Sequence, residues 1–162
     1  MRKFEIISAS QWEKDITSEN YDEQCPLKGH IKPYRGTKHS AGYDFTSPIG
    51  IVVPARGMAL IPTGVKAQMN EDEVLYIYPR SSIGFKTAIR LSNTVAVVDC
   101  DYYNNPKNEG HIFIKFYNPT DSDYKINVGD KIAQGIFAKY LVVDDEEEIT
   151  NERVGGLGST GK

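Results

Sequence analysis

Asn93-Thr94-Val95-Ala96-Val97-Val98-Asp99-Cys100-Asp101-Tyr102-Tyr103 is a short apolar run closed by two carboxylates and two aromatics. Three valines around one alanine predict an extended strand, because β-branched side chains fit a pleated surface. On a period of two, Asp99 and Asp101 fall on the same side of that strand. A carboxylate closing so apolar a run is a candidate general base. Partial burial raises its pKa, so that it stays ionised near neutrality yet is basic enough to take a proton from water. The plainer alternatives are an Asp-x-Asp that binds an ion or simply stands at a strand end.

Outward from this stretch the same grammar repeats. Phe4 to Ile7, Ile49 to Val53, Met58 to Ile61, Val74 to Tyr78, Ile112 to Phe116 and Ile132 to Phe137 are short runs rich in Ile, Val, Tyr and Phe, mostly punctuated by Gly, Pro or Asn-Pro. Short, evenly punctuated strands without a long helix predict an all-β sandwich or barrel. One short helix is predicted over Ser10 to Thr17, with Ser10 as N-cap, Glu13 completing a capping box, and an apolar face of Trp12 and Ile16. Residues 18–38 are polar, hold Pro26 and Pro33 and lack periodicity, so they read as a long surface excursion. Asp144 to Glu148 is an acidic connector. Beyond it the reading divides the chain into a β domain over residues 1–152 and a tail over 153–162. Four glycines with Ser159 and Thr160 give that tail a composition that cannot form a core. It reads either as a loose terminus or as a phosphate-binding flap.

Composition excludes several classes. At 162 residues the chain fits one domain, and its net charge of -3 argues against a broad nucleic-acid surface and stable nucleic-acid binding. Cys25 and Cys100 are far apart, and no apolar run is long enough for a signal peptide or membrane span, so a reduced, cytoplasmic protein without a membrane role is expected. Cys100 reads as a small buried hydrophobe rather than a nucleophile. His30, His39 and His111 show no zinc-site spacing and read as structural or surface residues.

Four further segments carry polar residues where packing has no use for them. Ala41-Gly42-Tyr43-Asp44 places a carboxylate at the start of a strand, where a lone Asp is more often a turn-former. Tyr78-Pro79-Arg80-Ser81-Ser82-Ile83-Gly84 ends a strand in a guanidinium, two hydroxyls and a glycine. Such a turn can aim Arg, hydroxyls and free N–H groups at an anion, although an isolated copy reads better as an ion-paired Arg and helix-capping serines. Gly129-Asp130-Lys131-Ile132-Ala133-Gln134 leads into a strand whose polar exception is Gln134, which needs a partner if buried. The tail, Arg153-Val154-Gly155-Gly156-Leu157-Gly158-Ser159-Thr160-Gly161, looks like a phosphate cradle but lacks the GxxxxGK[ST] order of a P-loop.

In this order the five segments, spanning Ala41 to Gly161, closely resemble the five motifs of the trimeric dUTPase family. The resemblance implies a jelly-roll-like β fold, a homotrimer with shared active sites, and Mg²⁺-assisted hydrolysis of dUTP to dUMP and pyrophosphate. That activity limits uracil incorporation into DNA and supplies dUMP for dTMP synthesis. It implies Asp99 as the base for the water attacking the α-phosphorus, and Tyr102, with Tyr103 as the weaker candidate, packed against the deoxyribose to exclude a 2′-hydroxyl. Asn93 and a β-hairpin backbone that includes Val98 would read uracil. Arg80, Ser81 and Gln134 would hold the triphosphate, with Ser82 and Gly84 contributing backbone N–H groups. Mg²⁺ would sit on the phosphates, with Asp44 in its outer shell through water. From a neighbouring chain Arg153 would meet the γ-phosphate, Leu157 would cover the base, Gly158 would belong to the substrate site, and Ser159 and Thr160 would add hydrogen bonds.

The chain departs from the family pattern in places. Leu157 stands where an aromatic usually stacks on uracil, Ala96 where Gly is common, and Asn104 to Gly110 is longer than the usual tight turn. Residues 18–38 are also longer than the typical link, which leaves room for a protein partner there. Two rival readings are a dCTP deaminase of the same fold and a non-catalytic regulatory binding protein. The Asp-x-Asp-Tyr sequence and the Gly-rich tail favour the dUTPase pattern over the first, and intact Asp99, Arg80, Gln134 and Arg153 speak against the second.

Overall fold

Each apolar run identified above folds as a strand, and every strand pair is antiparallel. The computed structural model describes residues 1–17, 29–150, 153 and 155, and the backbone alone of 23–24. In chain order the strands are β1 (Lys3–Ile6), β2 (Glu23–Gln24), β3 (Tyr34–Arg35), β4 (Tyr43–Thr46), β5 (Ile49–Val53), β6 (Met58–Pro62) and β7 (Val65–Gln68). They continue as β8 (Glu73–Pro79), β9 (Arg90–Leu91), β10 (Ala96–Asp99), β11 (Phe113–Tyr117), β12 (Tyr124–Ile126) and β13 (Lys131–Lys139). A five-stranded sheet runs β10-β8-β13-β4-β3, beside two three-stranded sheets, β6-β11-β9 and β12-β5-β2, and the ribbon β1-β7. The expected all-β fold is what the chain adopts.

Alternation along these strands sends Phe45, Ile49, Ile61, Leu75, Ile77, Ile114, Phe116, Ile126 and Ile132 into one continuous core, each essentially inaccessible to water. Full burial of a side chain of this size is worth about 1.5–3 kcal/mol. Phe4 closes one side against Tyr43, Phe45 and Phe137, meeting Phe45 edge-on at 5.6 Å between ring centroids. That contact ties β1 to the central sheet, while strand hydrogen bonds tie it to β7.

Two local expectations need correction. The first helix, α1, runs Ala9–Ile16, and its N-cap is Ser8, whose Oγ accepts from the Gln11 N–H at 3.1 Å. The chosen cap, Ser10, lies inside the helix, so no capping box with Glu13 forms. Ser8 wins because it alone of the two has extended backbone, which lets its hydroxyl reach back over the first turn. The second correction concerns residues 18–38. Their described part contains β2, paired to β5, and β3, paired to β4, so the excursion is stitched to two sheets. Two-residue strands leave no periodic signal in a sequence. A second short helix, α2 (Ser81–Thr87), follows β8 directly and is closed by Ala88 in the left-handed region. Among the described residues no helix is long and apolar enough to cross a membrane.

Candidate active site

Strand order decides which of the candidate residues meet. β13 lies between β4 and β8, and its Gln134 stands opposite Asp44 on one side and Tyr78 on the other. Three of the motif segments therefore converge at one end of the central sheet. Gly42 leaves room for Gln134: a Cβ there would lie 2.7 Å from Gln134 Oε1, so the amide would have to move aside. Gln134 in turn donates to the Pro79 carbonyl at 3.3 Å.

Asp44 is the electrostatic centre of this end. Its side chain is only 10% exposed, and it accepts from Lys131 Nζ at 2.9 Å while Arg80 Nε lies 3.2 Å away. Lys131 also lies over the Tyr34 ring at 4.8 Å. Burying one carboxylate under two cations leaves a net positive site. A cleft of about 490 Å³ opens beside it, lined by Arg80, Ser82, Lys86 and Lys131 among others. Ser81 and Ser82 carry the first N–H groups of α2, which have no acceptor within the helix. The expected Gly84 N–H is different: it donates to the Arg80 carbonyl at 3.0 Å and is spent on the helix. Gly84 contributes open space, since nothing lies within 4 Å of the position of a Cβ. Lys131 was not assigned a role from sequence. Its signal was its place three residues before Gln134 in a segment already marked as special.

The carboxylates gather elsewhere. Asp99 closes β10 opposite Val74, whereas Arg80 follows the far end of β8. Arg80 lies six positions beyond Val74 along extended chain, about 20 Å at a rise of roughly 3.3 Å per residue. Within one chain the structure therefore does not bring Asp99 to Arg80, Ser81 or Gln134. Asp99 meets Asp101 instead, through Arg153, which places Nη2 2.6 Å from Asp99 Oδ2 and Nε 2.6 Å from Asp101 Oδ1. The two aspartates do not share a strand face as expected, because a 3-10 turn over Cys100–Tyr102 ends β10 after Asp99. Nor is Asp99 partly buried in the manner expected: its side chain is 51% exposed in the single chain. Cys100 is half-buried rather than fully buried, and burial raises its thiol pKa, the direction expected of an unreactive cysteine.

The two tyrosines separate cleanly. Tyr102 is 6% exposed, donates to the His111 carbonyl at 2.7 Å and has the Arg153 guanidinium 5.8 Å from its ring centroid. Tyr103 turns away, with its hydroxyl on Glu5 and its ring beneath Lys66 Nζ at 5.5 Å. Asn93 sits in the exposed turn before β10, beside the left-handed Thr94. It borders an apolar groove of about 270 Å³ lined by Leu60, Ile77, Leu91, Ala96 and Phe113 among others. Val98 is buried opposite Leu75, and among the described residues β10 is an edge strand, with no strand partner on one side of its backbone. Leu157, Gly158, Ser159 and Thr160 lie outside the described residues.

No three His, Cys, Asp or Glu side chains gather into a metal site among the described residues. Asp44 fits an outer-shell role better than direct ligation, because its oxygens already face two cations.

Comparison with known proteins places the chain in a family. The dUTPase family model matches residues 29–161. The chain is 48% identical over 130 residues to the deoxyuridine 5'-triphosphate nucleotidohydrolase of Lactococcus lactis, covering 80% of this chain and 87% of that one. It is 38% identical over 135 residues to the Arabidopsis thaliana protein of the same name, covering 81% and 76%. Among solved structures, the dUTPase from Streptococcus mutans superposes with a TM-score of 0.70 at 39% identity, over 87% of this chain and 98% of that one. With the family model spanning most of its length, the chain belongs to the dUTPase family.

Proposed function

We propose that the protein is a dUTP diphosphatase that hydrolyses dUTP to dUMP and pyrophosphate, with Mg²⁺, in sites completed between three copies of the chain. The observation that carries this reading is the separation of two half-sites along one sheet, in a chain 48% identical to a dUTP nucleotidohydrolase. A cationic half at Arg80 and Lys131 suits a triphosphate, and an acidic half at Asp99 suits activation of water. A span of about 20 Å between them calls for a second copy to close the gap.

In the assembled site Asp99 takes a proton from water as the water oxygen attacks the α-phosphorus. The bond from that phosphorus to the bridging oxygen breaks, and its electron pair leaves with pyrophosphate. Arg80, Ser81 and Gln134, with the Ser82 N–H, hold the triphosphate and stabilise the charge that builds on the leaving group. Mg²⁺, when bound, neutralises phosphate charge; Asp44 would reach it through water. Arg153 exchanges its own-chain carboxylates for the γ-phosphate of a neighbouring site, and residues 157–160 close over the nucleotide. Tyr102 packs against the deoxyribose, and Asn93 with the β10 backbone reads uracil. The product fits a role in keeping uracil out of DNA and supplying dUMP.

The test is incubation of the purified protein with dUTP, dCTP, dTTP and UTP in Mg²⁺ buffer, following pyrophosphate and ammonia. Pyrophosphate from dUTP alone, lost in Asp99→Asn, is the expected result. Ammonia from dCTP, or silence on all four nucleotides, refutes the reading.

A further inference from the structure

Tyr102 is held by an apparatus that the catalytic reading does not require. Its hydroxyl donates to the His111 carbonyl at 2.7 Å and accepts from Asn108 Nδ2 at 2.8 Å, so the phenol is pinned through both its proton and a lone pair. Asn108 is itself immobilised: its Oδ1 accepts from Asn105 Nδ2 at 2.7 Å and from the Gly110 N–H at 3.2 Å. Asn105 is 4% exposed and also donates to the Tyr102 carbonyl at 2.9 Å. Its Oδ1 accepts from the Lys107 and Asn108 N–H groups. Three left-handed residues, Asn104, Glu109 and Gly110, fold the segment tightly enough that a Cβ on Gly110 would meet the Tyr102 carbonyl at 2.5 Å.

Behind this loop stands α1. Glu109 accepts from the Ser8 N–H at 3.1 Å and from Lys66 Nζ at 3.2 Å, and Lys14 Nζ donates to the Lys107 carbonyl at 3.1 Å. His111, with no exposed surface, places Nδ1 2.6 Å from Asp15 and accepts at Nε2 from the Gly64 N–H at 2.8 Å. The long turn that departs from the family pattern is thus a brace between the first helix and one phenolic oxygen.

We propose that Asn108 is a positioning residue for Tyr102, and that the brace sets how strictly the site rejects a 2′-hydroxyl. This rests on the reading of Tyr102 as the residue facing the deoxyribose. A ring pinned at its far end cannot slide back to admit an extra oxygen, so rejection of a ribonucleotide grows with the stiffness of the pin. Release of Asn108 from the hydroxyl lets the ring yield, and binding of the ribonucleotide improves more than binding of the deoxyribonucleotide.

The experiment measures KM and kcat for dUTP, and the inhibition constant of UTP, in wild type, Asn108→Leu, Tyr102→Phe and the double variant. Asn108→Leu keeps roughly the same shape but offers the hydroxyl neither a donor nor an acceptor. The expected result is UTP inhibition tightened by roughly five- to tenfold, the effect of one hydrogen bond, with kcat for dUTP changed by less than about twofold. In the Tyr102→Phe background the same substitution should add nothing, because the hydroxyl through which it acts is gone. Asn108→Ala carries the same test should Asn108→Leu fail to fold, as judged by thermal unfolding. Unchanged UTP inhibition in a folded variant, or an equal effect without the hydroxyl, overturns the proposal. A wild-type chain inert toward dUTP refutes the functional reading itself and is distinguishable from both.

Discussion

The two ends of β8 differ in charge and in how that charge is restrained. At the Pro79 end, Arg80 and Lys131 flank a buried carboxylate, and strand register holds Gln134 beside them. At the Val74 end, exposed Asp99 and Asp101 are gathered by Arg153, the one cation among the described residues that ion-pairs with them. One end is built into the sheet and the other hangs on a single guanidinium. A cationic end held by the sheet and an acid cluster held by one guanidinium are complementary in charge, and in a single chain they stand at opposite ends of β8.

The largest effect expected from breaking this pair is at the acidic end. Asp99→Asn should lower kcat by about 10²–10⁴-fold, the usual contribution of a general base, with KM for dUTP little changed, as read by pyrophosphate release. Mixing sharpens the comparison. Asp99→Asn and Arg80→Ala chains, each inactive alone, should recover activity when co-expressed if one site draws on two copies. No recovery would mean that each chain builds its own site. At the built-in end, Asp44→Asn removes a charge-assisted partner from both cations and should raise KM for dUTP by about 10–100-fold, equivalent to about 1.5–3 kcal/mol. Gly42→Ala crowds Gln134 and should lower the thermal midpoint through overpacking of about 1–3 kcal/mol.

The smallest effect is a pH dependence of stability that belongs to neither end. Burial lowers the pKa of His111 below its ordinary 6.5, and the Asp15 hydrogen bond only partly offsets this. The folded state therefore keeps His111 neutral while the unfolded chain takes up a proton as pH falls through about 6.5. Stability from this group is complete above that pH and declines below it, so thermal midpoints should fall between pH 7.5 and 5.5. In His111→Gln that decline should flatten.

Much of this was legible from residues alone, and the limits are physical. Alternation and β-branched content marked the long strands, because burying one face imposes a period of two. β2 and β3 were not legible, because two residues carry no period. Ser8 and Ser10 are chemically the same cap, and only backbone conformation chose between them. Asp99, Arg80 and Gln134 stood out as polar residues ending apolar runs, whereas Lys131 looked like an ordinary surface lysine until β13 was paired with β4. The spent N–H of Gly84 became visible only with helix α2 in place.

By itself the sequence determined the fold class, the ordered set of chemical groups and the family they resemble, since these depend on residue type and spacing along the chain. Tertiary structure alone decided which groups meet. Strand order and register turn linear neighbours into opposite ends of a sheet, and they bring Asp44, Arg80 and Gln134 together across three strands while holding Asp99 about 20 Å away at the strand rise of roughly 3.3 Å per residue.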